Sequence, residues 1–175
     1  MHDAYVGSTG SGKTYLAIEK AAAYLDAGVN VLVCDPFFSK WPTPRKSSPV
    51  TLWRTHLREP FMAAARRSRR CALMIDEGGQ TLARDPDAEW LFTGARQWGH
   101  KTHAMLQDGI QMLPVMRGQC STVAIFGPVD LRVAKLWAEA KVCPGLLAAA
   151  QPDFPEFEFL LWQKRMPLRR LKISA

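Results

Sequence analysis

The segment Gly7-Ser8-Thr9-Gly10-Ser11-Gly12-Lys13-Thr14 satisfies the pattern G-x-x-x-x-G-K-[ST] at every position. Its residue types are those a polyphosphate demands. Glycines let the backbone close round an anion, and successive N–H groups then form an anion-binding concavity. A helix opening directly after the loop adds its N-terminal dipole to the same anion. Lys13 is spaced to bridge the β- and γ-phosphates of a nucleoside triphosphate, and the Thr14 hydroxyl to ligate magnesium. A Gly/Ser turn with a chance lysine would not need a strand-like Ala4-Tyr5-Val6 before it and a helical pattern after it, and both are present.

Leu73-Met74-Ile75-Asp76-Glu77 supplies a second half to such a site. A buried apolar strand would deliver Asp76 to the carboxyl edge of a sheet, where open α/β sheets bind ligands. There Asp76 would hold the magnesium, directly or through water. Glu77 would polarise the water that attacks the γ-phosphate, which points to hydrolysis more than to transfer onto a small acceptor. The plainer alternative is an Asp-Glu pair that caps the next helix.

Positioning these groups requires alternating strands and helices. Leu16, Ala17, Lys20, Ala21, Tyr24 and Leu25 recur at helical spacing over Lys13 to Asp26, with Gly28 as a stop. Val29 to Cys34 and Cys71 to Ile75 read as strands buried on both faces. Between them lie a proline-rich loop over about 36–50, a short strand or turn near Val50 to Trp53, and a helix from about His56 to Arg69. Further on, Asp87 to Gln97 reads as helix, Thr102 to Gln107 as strand, Leu113 to Arg117 as short helix, Thr122 to Phe126 as strand and Asp130 to Lys141 as amphipathic helix. Glu156 to Gln163 and Leu168 to Ile173 flank a basic, proline-containing turn, so a hairpin over about 156–173 is expected. The whole predicts one α/β domain over residues 1–175, built on a mainly parallel central sheet.

Composition bounds the rest. The chain has 175 residues, is 47% hydrophobic and carries a net charge of +7, which suits a globular protein with a polyanionic partner. No apolar run reaches the roughly 20 residues of a membrane-spanning helix, and the first residues show no leader pattern, so an intracellular, soluble protein is expected. Cys34, Cys71, Cys120 and Cys143 form no CxxC pair and read as free thiols. His100 and His103 have no evident third partner and read as incidental.

Beyond the acidic pair the chain runs Ala95-Arg96-Gln97-Trp98-Gly99-His100, then a strand ending in Gln107, then Leu113-Pro114-Val115-Met116-Arg117-Gly118, then Thr122-Val123-Ala124-Ile125-Phe126. With the two nucleotide motifs, that order resembles the FtsK–HerA superfamily of DNA-pumping P-loop ATPases, and most of all the genome-packaging ATPases of tailless, membrane-containing double-stranded DNA viruses. The resemblance covers most of Tyr5 to Phe126. It implies a three-layer RecA/FtsK-like fold, ATP and magnesium as cofactors, and a Gln107 that reaches the γ-phosphate. It also implies a ring of subunits, double-stranded DNA as partner with capsid or portal-vertex proteins as further ones, and a place in host cytoplasm or virion. Arg96 is the first candidate for an arginine finger acting on a neighbour's nucleotide, with Arg117 in reserve. The alternatives remain a surface amide capping a turn for Gln107 and a helix-terminal arginine for Arg96.

Basic residues cluster at Arg45-Lys46, at Arg66-Arg67-Ser68-Arg69-Arg70, and at Arg165, Arg169, Arg170 and Lys172. Any one cluster reads most simply as a solvated face. As DNA contacts, Arg45 and Lys46 are preferred over the Arg66 run, which precedes its strand and so falls at the edge away from the nucleotide. The function expected is an ATP-hydrolysing translocase of double-stranded DNA, a viral packaging motor. The alternatives are a filamentous-phage-type assembly ATPase, a small P-loop nucleotide kinase and a nucleotide-dependent scaffold.

Overall fold

The computed structural model describes residues 2–37, 39–44, 49–82 and 85–173. Arg45 and Lys46, the preferred DNA contacts, lie outside the described residues.

Eight strands make one sheet in the order β3-β2-β4-β5-β1-β6-β7-β8. They are β1 (His2–Val6), β2 (Val31–Cys34), β3 (Leu52–Thr55), β4 (Ala72–Ile75), β5 (Lys101–Leu106), β6 (Cys120–Phe126), β7 (Glu158–Gln163) and β8 (Arg169–Lys172). Neighbours among β1 to β6 pair in parallel, while β7 pairs antiparallel to β6 and β8 to β7. The expected mainly parallel sheet and terminal hairpin are both present. Central strands such as Val31–Cys34 and Ala72–Ile75 are buried at every position, as strands covered on both faces must be.

Two cores sandwich the sheet. On one face α1 (Lys13–Asp26) packs through Ala17, Ala21 and Leu25, spaced four residues apart, beside Trp41 and Val50. On the other face lie α2 (Arg58–Arg67), α4 (Pro86–Thr93), α5 (Pro114–Gln119) and α6 (Leu131–Lys141), which contribute Phe61, Leu91, Met116 and Trp137. These are the three layers anticipated.

Several boundaries differ from expectation for local reasons. The helix expected over Asp87 to Gln97 stops at Thr93, and after Gly94 the chain tightens into a 3₁₀ turn, Ala95–Trp98. A single turn, α3 (Gly78–Thr81), and a 3₁₀ segment, Pro144–Ala150, were not anticipated, because neither is long enough to show a helical period. β5 ends at Leu106, so Gln107 is the first residue beyond the strand rather than its last.

Parallel strands give the sheet two unlike edges. The carboxyl edge gathers the phosphate loop, the Asp76-Glu77 turn, Gln107, and the start of β7. The amino edge gathers His2, the 3₁₀ turn with Arg96, and the β7–β8 turn with Lys164 and Arg165.

Candidate nucleotide site

The loop after β1 begins where Gly7 N–H donates to Leu106 O at 3.1 Å, tying it to β5. Gly7, Gly10 and Gly12 have φ of 156°, 80° and 103°. At Gly10 and Gly12 a side chain would be strained, and at Gly7 a Cβ would lie 2.7 Å from Phe126 O. At Gly12 a Cβ would collide with Ile173, whose side chain rests on the loop. Gly12 leads directly into α1 at Lys13.

Lys13 is 8% exposed, and its Nζ donates to Gly7 O at 2.7 Å and Ser8 O at 2.6 Å. Burial pushes its pKa down, and the nearby Asp76 and Glu77 charges partly restore it. Thr14 Oγ1 donates to Asp76 Oδ2 at 3.1 Å, so β4 and α1 bring the two expected magnesium ligands together. Asp76 is buried, which raises its pKa; the Glu77 N–H, which donates to Oδ1 at 2.9 Å, opposes that rise.

Glu77 takes φ 47° and ψ 52° at the head of α3. For a residue with a Cβ this left-handed conformation costs on the order of 1 kcal/mol or more, and such strain gathers at functional turns. The following Gly78 is needed for close approach, since a Cβ there would lie 2.7 Å from Leu106. Gln107 is exposed, and its Nε2 approaches Thr9 Oγ1 at 3.5 Å. The turn beyond Gln107 is braced by Trp137, whose Nε1 donates to Asp108 O at 3.2 Å, and by Arg117, which donates to Met112 O.

Lys13, Thr14, Asp76, Glu77 and Gln107 therefore converge on the phosphate loop. Arg96 and Arg117 do not. Arg117 is spent on its own backbone turn, and Arg96 lies at the amino edge, exposed and with no ion pair among the described residues. β1 and β5 separate it from the phosphate loop by a strand's length, about 17–20 Å.

One site-shaping residue was not singled out from sequence. Asp35 is buried at the end of β2 and accepts from Phe37 N–H at 2.8 Å, Ser39 N–H at 2.6 Å and Trp41 Nε1–H at 2.8 Å. It nucleates the loop that follows β2, and its charge raises the Asp76 pKa. The only sequence signal was an Asp-Pro step at a strand end.

The arrangement fits a magnesium-bound triphosphate. Positive φ at Gly10 and Gly12 shapes the loop backbone, a buried Ser11 Oγ within the loop has no partner among the described residues, and Thr14 with Asp76 form an oxygen pair suited to a hard cation. A cavity of about 200 Å³ opens beside Ser8 to Ser11, walled by Pro128, Glu156 and Phe157.

The basic runs are partly committed elsewhere. Arg66 pairs with Asp87 and lies over Trp90, Arg69 stacks on Trp98 with its Cζ 3.5 Å from the ring centroid, and Arg170 pairs with Glu158 at 2.7 Å.

No protein-family model and no curated protein matches this chain. Solved structures do. The genome packaging NTPase B204 from Sulfolobus turreted icosahedral virus 2, in complex with AMPPCP, superposes with a TM-score of 0.77 at 13% identity, covering 99% of this chain and 97% of that one. The pCW3 conjugation coupling protein TcpA, with ATPγS, gives 0.72 at 12% identity over 98% of this chain and 59% of that one. The cytoplasmic domain of the Thermomonospora curvata type VII secretion ATPase EccC gives 0.65 at 16% identity over 99% of this chain and 25% of that one. At these identities the likeness is one of fold, and it falls on the P-loop architecture that the sequence resembles.

Proposed function

We propose that this chain is an ATP-hydrolysing translocase of double-stranded DNA, acting as a ring in viral genome packaging. The observation that carries the reading is the convergence at one sheet edge of the phosphate loop, the Thr14–Asp76 pair, Glu77 and Gln107. The fold shared along nearly the full length of the packaging NTPase B204 supports the biological setting.

In this reading Lys13 Nζ leaves the Gly7 and Ser8 carbonyls and donates instead to β- and γ-phosphate oxygens. Magnesium, held by Thr14 Oγ1 and Asp76, would neutralise charge that develops on those oxygens. Glu77 orients the attacking water and takes its proton. Gln107 donates to the γ-phosphate or the water from the other side of the loop. Phosphoryl transfer asks for positioning and charge stabilisation more than covalent chemistry, which is what such a set of residues offers. Arg96 is too far from its own loop to act there, so its proposed role as an arginine finger is in trans, across a subunit interface. Partners at the capsid or portal vertex, and residence in host cytoplasm or virion, belong to the same proposal.

The test is the rate of ATP hydrolysis with and without duplex DNA. A several-fold stimulation, lost as salt rises from low to physiological levels, is expected of a motor that grips phosphates without reading bases. A rate indifferent to DNA would favour a nucleotide-dependent scaffold or a small-molecule kinase.

A further inference from the structure

The amino edge of the sheet holds a cavity of about 310 Å³ lined by His2, Arg96, Gly118 to Ser121, Lys164 and Arg165. No catalytic role assigned above uses this cavity as a whole. Arg96, Lys164 and Arg165 are all exposed, and none has an acidic partner among the described residues. The nearby Arg66 and Arg69, by contrast, are taken up by Asp87, Trp90 and Trp98.

His2 sharpens the character of the cavity. Its ring is 1% exposed, and its Nδ1 accepts from Thr102 N–H at 3.1 Å. With Nδ1 occupied as an acceptor, the neutral ring carries its proton on Nε2. Burial, with the N-terminal amine next, lowers the His2 pKa to about 4, so the ring is neutral at physiological pH. That leaves a buried Nε2–H donor with no partner among the described residues. A buried donor left without a partner carries an uncompensated desolvation cost. Three unpaired cations around an orphaned donor form a site for a compact anion with several acceptor oxygens. The volume lies at the small end of ligand cavities, which run from about 300 Å³ upward, and suits one group rather than a whole nucleotide.

We propose that His2, Lys164, Arg165 and Arg96 bind a single phosphate group at the amino edge of the sheet, a second anion site separate from the phosphate loop. The phosphate belongs either to a small phosphate compound or to a nucleic-acid backbone. Only the second source rests on the translocase reading. Arginine and lysine contacts to backbone phosphates position nucleic acid without reading it.

The test is NMR of the full chain labelled with ¹⁵N-histidine, with the phosphate loop first saturated with magnesium and a non-hydrolysable ATP analogue. Inorganic phosphate and a short duplex are titrated separately. The His2 Nε2 signal, assigned with His2→Gln, is expected to shift saturably while that of His100 stays still. Lys164→Gln combined with Arg165→Asn should weaken the effect tenfold or more; Asn tolerates the left-handed backbone at position 165, where φ is 68°. The double variant keeps Arg96, so the result does not turn on any role of that residue at a subunit interface. Its unchanged affinity for the ATP analogue would show that it folds. A shift with phosphate that duplex does not reproduce assigns the site to small phosphate compounds. A shift reached at lower concentration of duplex assigns it to nucleic acid. No shift with either probe in the unmutated protein overturns the proposal, and so does a shift that a folded double variant leaves intact.

Discussion

Thr14 and Asp76 stand 62 positions apart in the chain and meet at 3.1 Å, the threonine hydroxyl donating to the carboxylate. One opens α1 and the other ends β4, and the pairing exists because β4 lies two places from β1 in the sheet. The two expected magnesium ligands are thus preorganised by the fold itself.

Lys13→Ala should abolish ATP binding, since it removes the buried ammonium at the head of α1. Glu77→Gln should bind ATP with near-native affinity and lose hydrolysis by at least about a hundredfold, as expected of a positioned general base. Fluorescent-nucleotide titration and phosphate release separate the two effects. Near-normal turnover by Glu77→Gln would remove Glu77 from its proposed role.

Glu77→Gly should be inactive yet more stable, by about 1 kcal/mol, because glycine adopts φ 47° without the side-chain penalty. Urea denaturation compares the two proteins. The gain is partly offset by the greater freedom of glycine in the unfolded chain, so comparison with Glu77→Ala isolates the strain. An Ala variant more stable than the Gly variant by the full entropy cost of glycine, about 0.4–1 kcal/mol, would mean that the turn stores none.

Gln107→Ala should reduce kcat by about 10²-fold, in line with loss of one transition-state donor, while ATP affinity changes little. The motivating contact is its approach to Thr9 across the loop. A loss seen wholly in ATP affinity would make Gln107 a ground-state binding group.

Asp3 should give the protein an acid-labile component of stability. Its carboxylate is buried between Lys101, at 3.1 Å, and the His103 ring, at 3.2 Å. Burial pushes its pKa up, but hydrogen bonds from the His103 ring and from Lys101, with the Lys101 charge, outweigh that and hold it at about 2. A folded pKa below the unfolded value of about 3.9 stabilises the native state above that pH, by about 2 kcal/mol, and the contribution fades as pH falls toward 2. The stability gap between the unmutated protein and Asp3→Asn should therefore be full at pH 6 and close on acidification. A gap constant from pH 6 to pH 2.5 in urea unfolding would refute this.

Arg96→Ala should lower turnover far more than ATP affinity, and specific activity of the unmutated protein should rise with concentration as subunits assemble. Mixing Arg96→Ala with Glu77→Gln subunits should recover part of the activity, since a mixed interface can hold one complete site. Concentration-independent turnover by a monomer, with no recovery on mixing, would leave Arg96 with no finger role.

Much of this was legible because the groups concerned lie in contiguous motifs. Gly7 to Thr14 and Asp76-Glu77 declare themselves by local pattern, and the alternation of apolar runs with helical periods predicts the layered sheet. What stayed hidden depends on contacts between distant segments. Asp3, Tyr5, Tyr24, Lys101 and His103 form a buried polar network, with the His103 ring 2.9 Å from the Tyr5 hydroxyl and 3.1 Å from that of Tyr24. In sequence those residues are an unremarkable acid, two tyrosines, a lysine and a histidine. Lys141, the last residue of the amphipathic helix expected from sequence, is buried and donates to Cys120 O at 2.6 Å, a contact no local pattern announces. Nor does the sequence tell that Lys164 and Arg165 face His2, since only the return of β7 and β8 brings that turn to the amino edge.

The β7–β8 hairpin touches both edges of the sheet. Its turn carries Lys164 and Arg165, and beyond the far end of β8 the Ile173 side chain presses on Gly12 of the phosphate loop. β8 pairs with β7 from Glu158–Lys172 to Leu161–Arg169, so one continuous antiparallel pair links the basic turn at the amino edge to the glycine that leads into α1, about 20 Å away at the other.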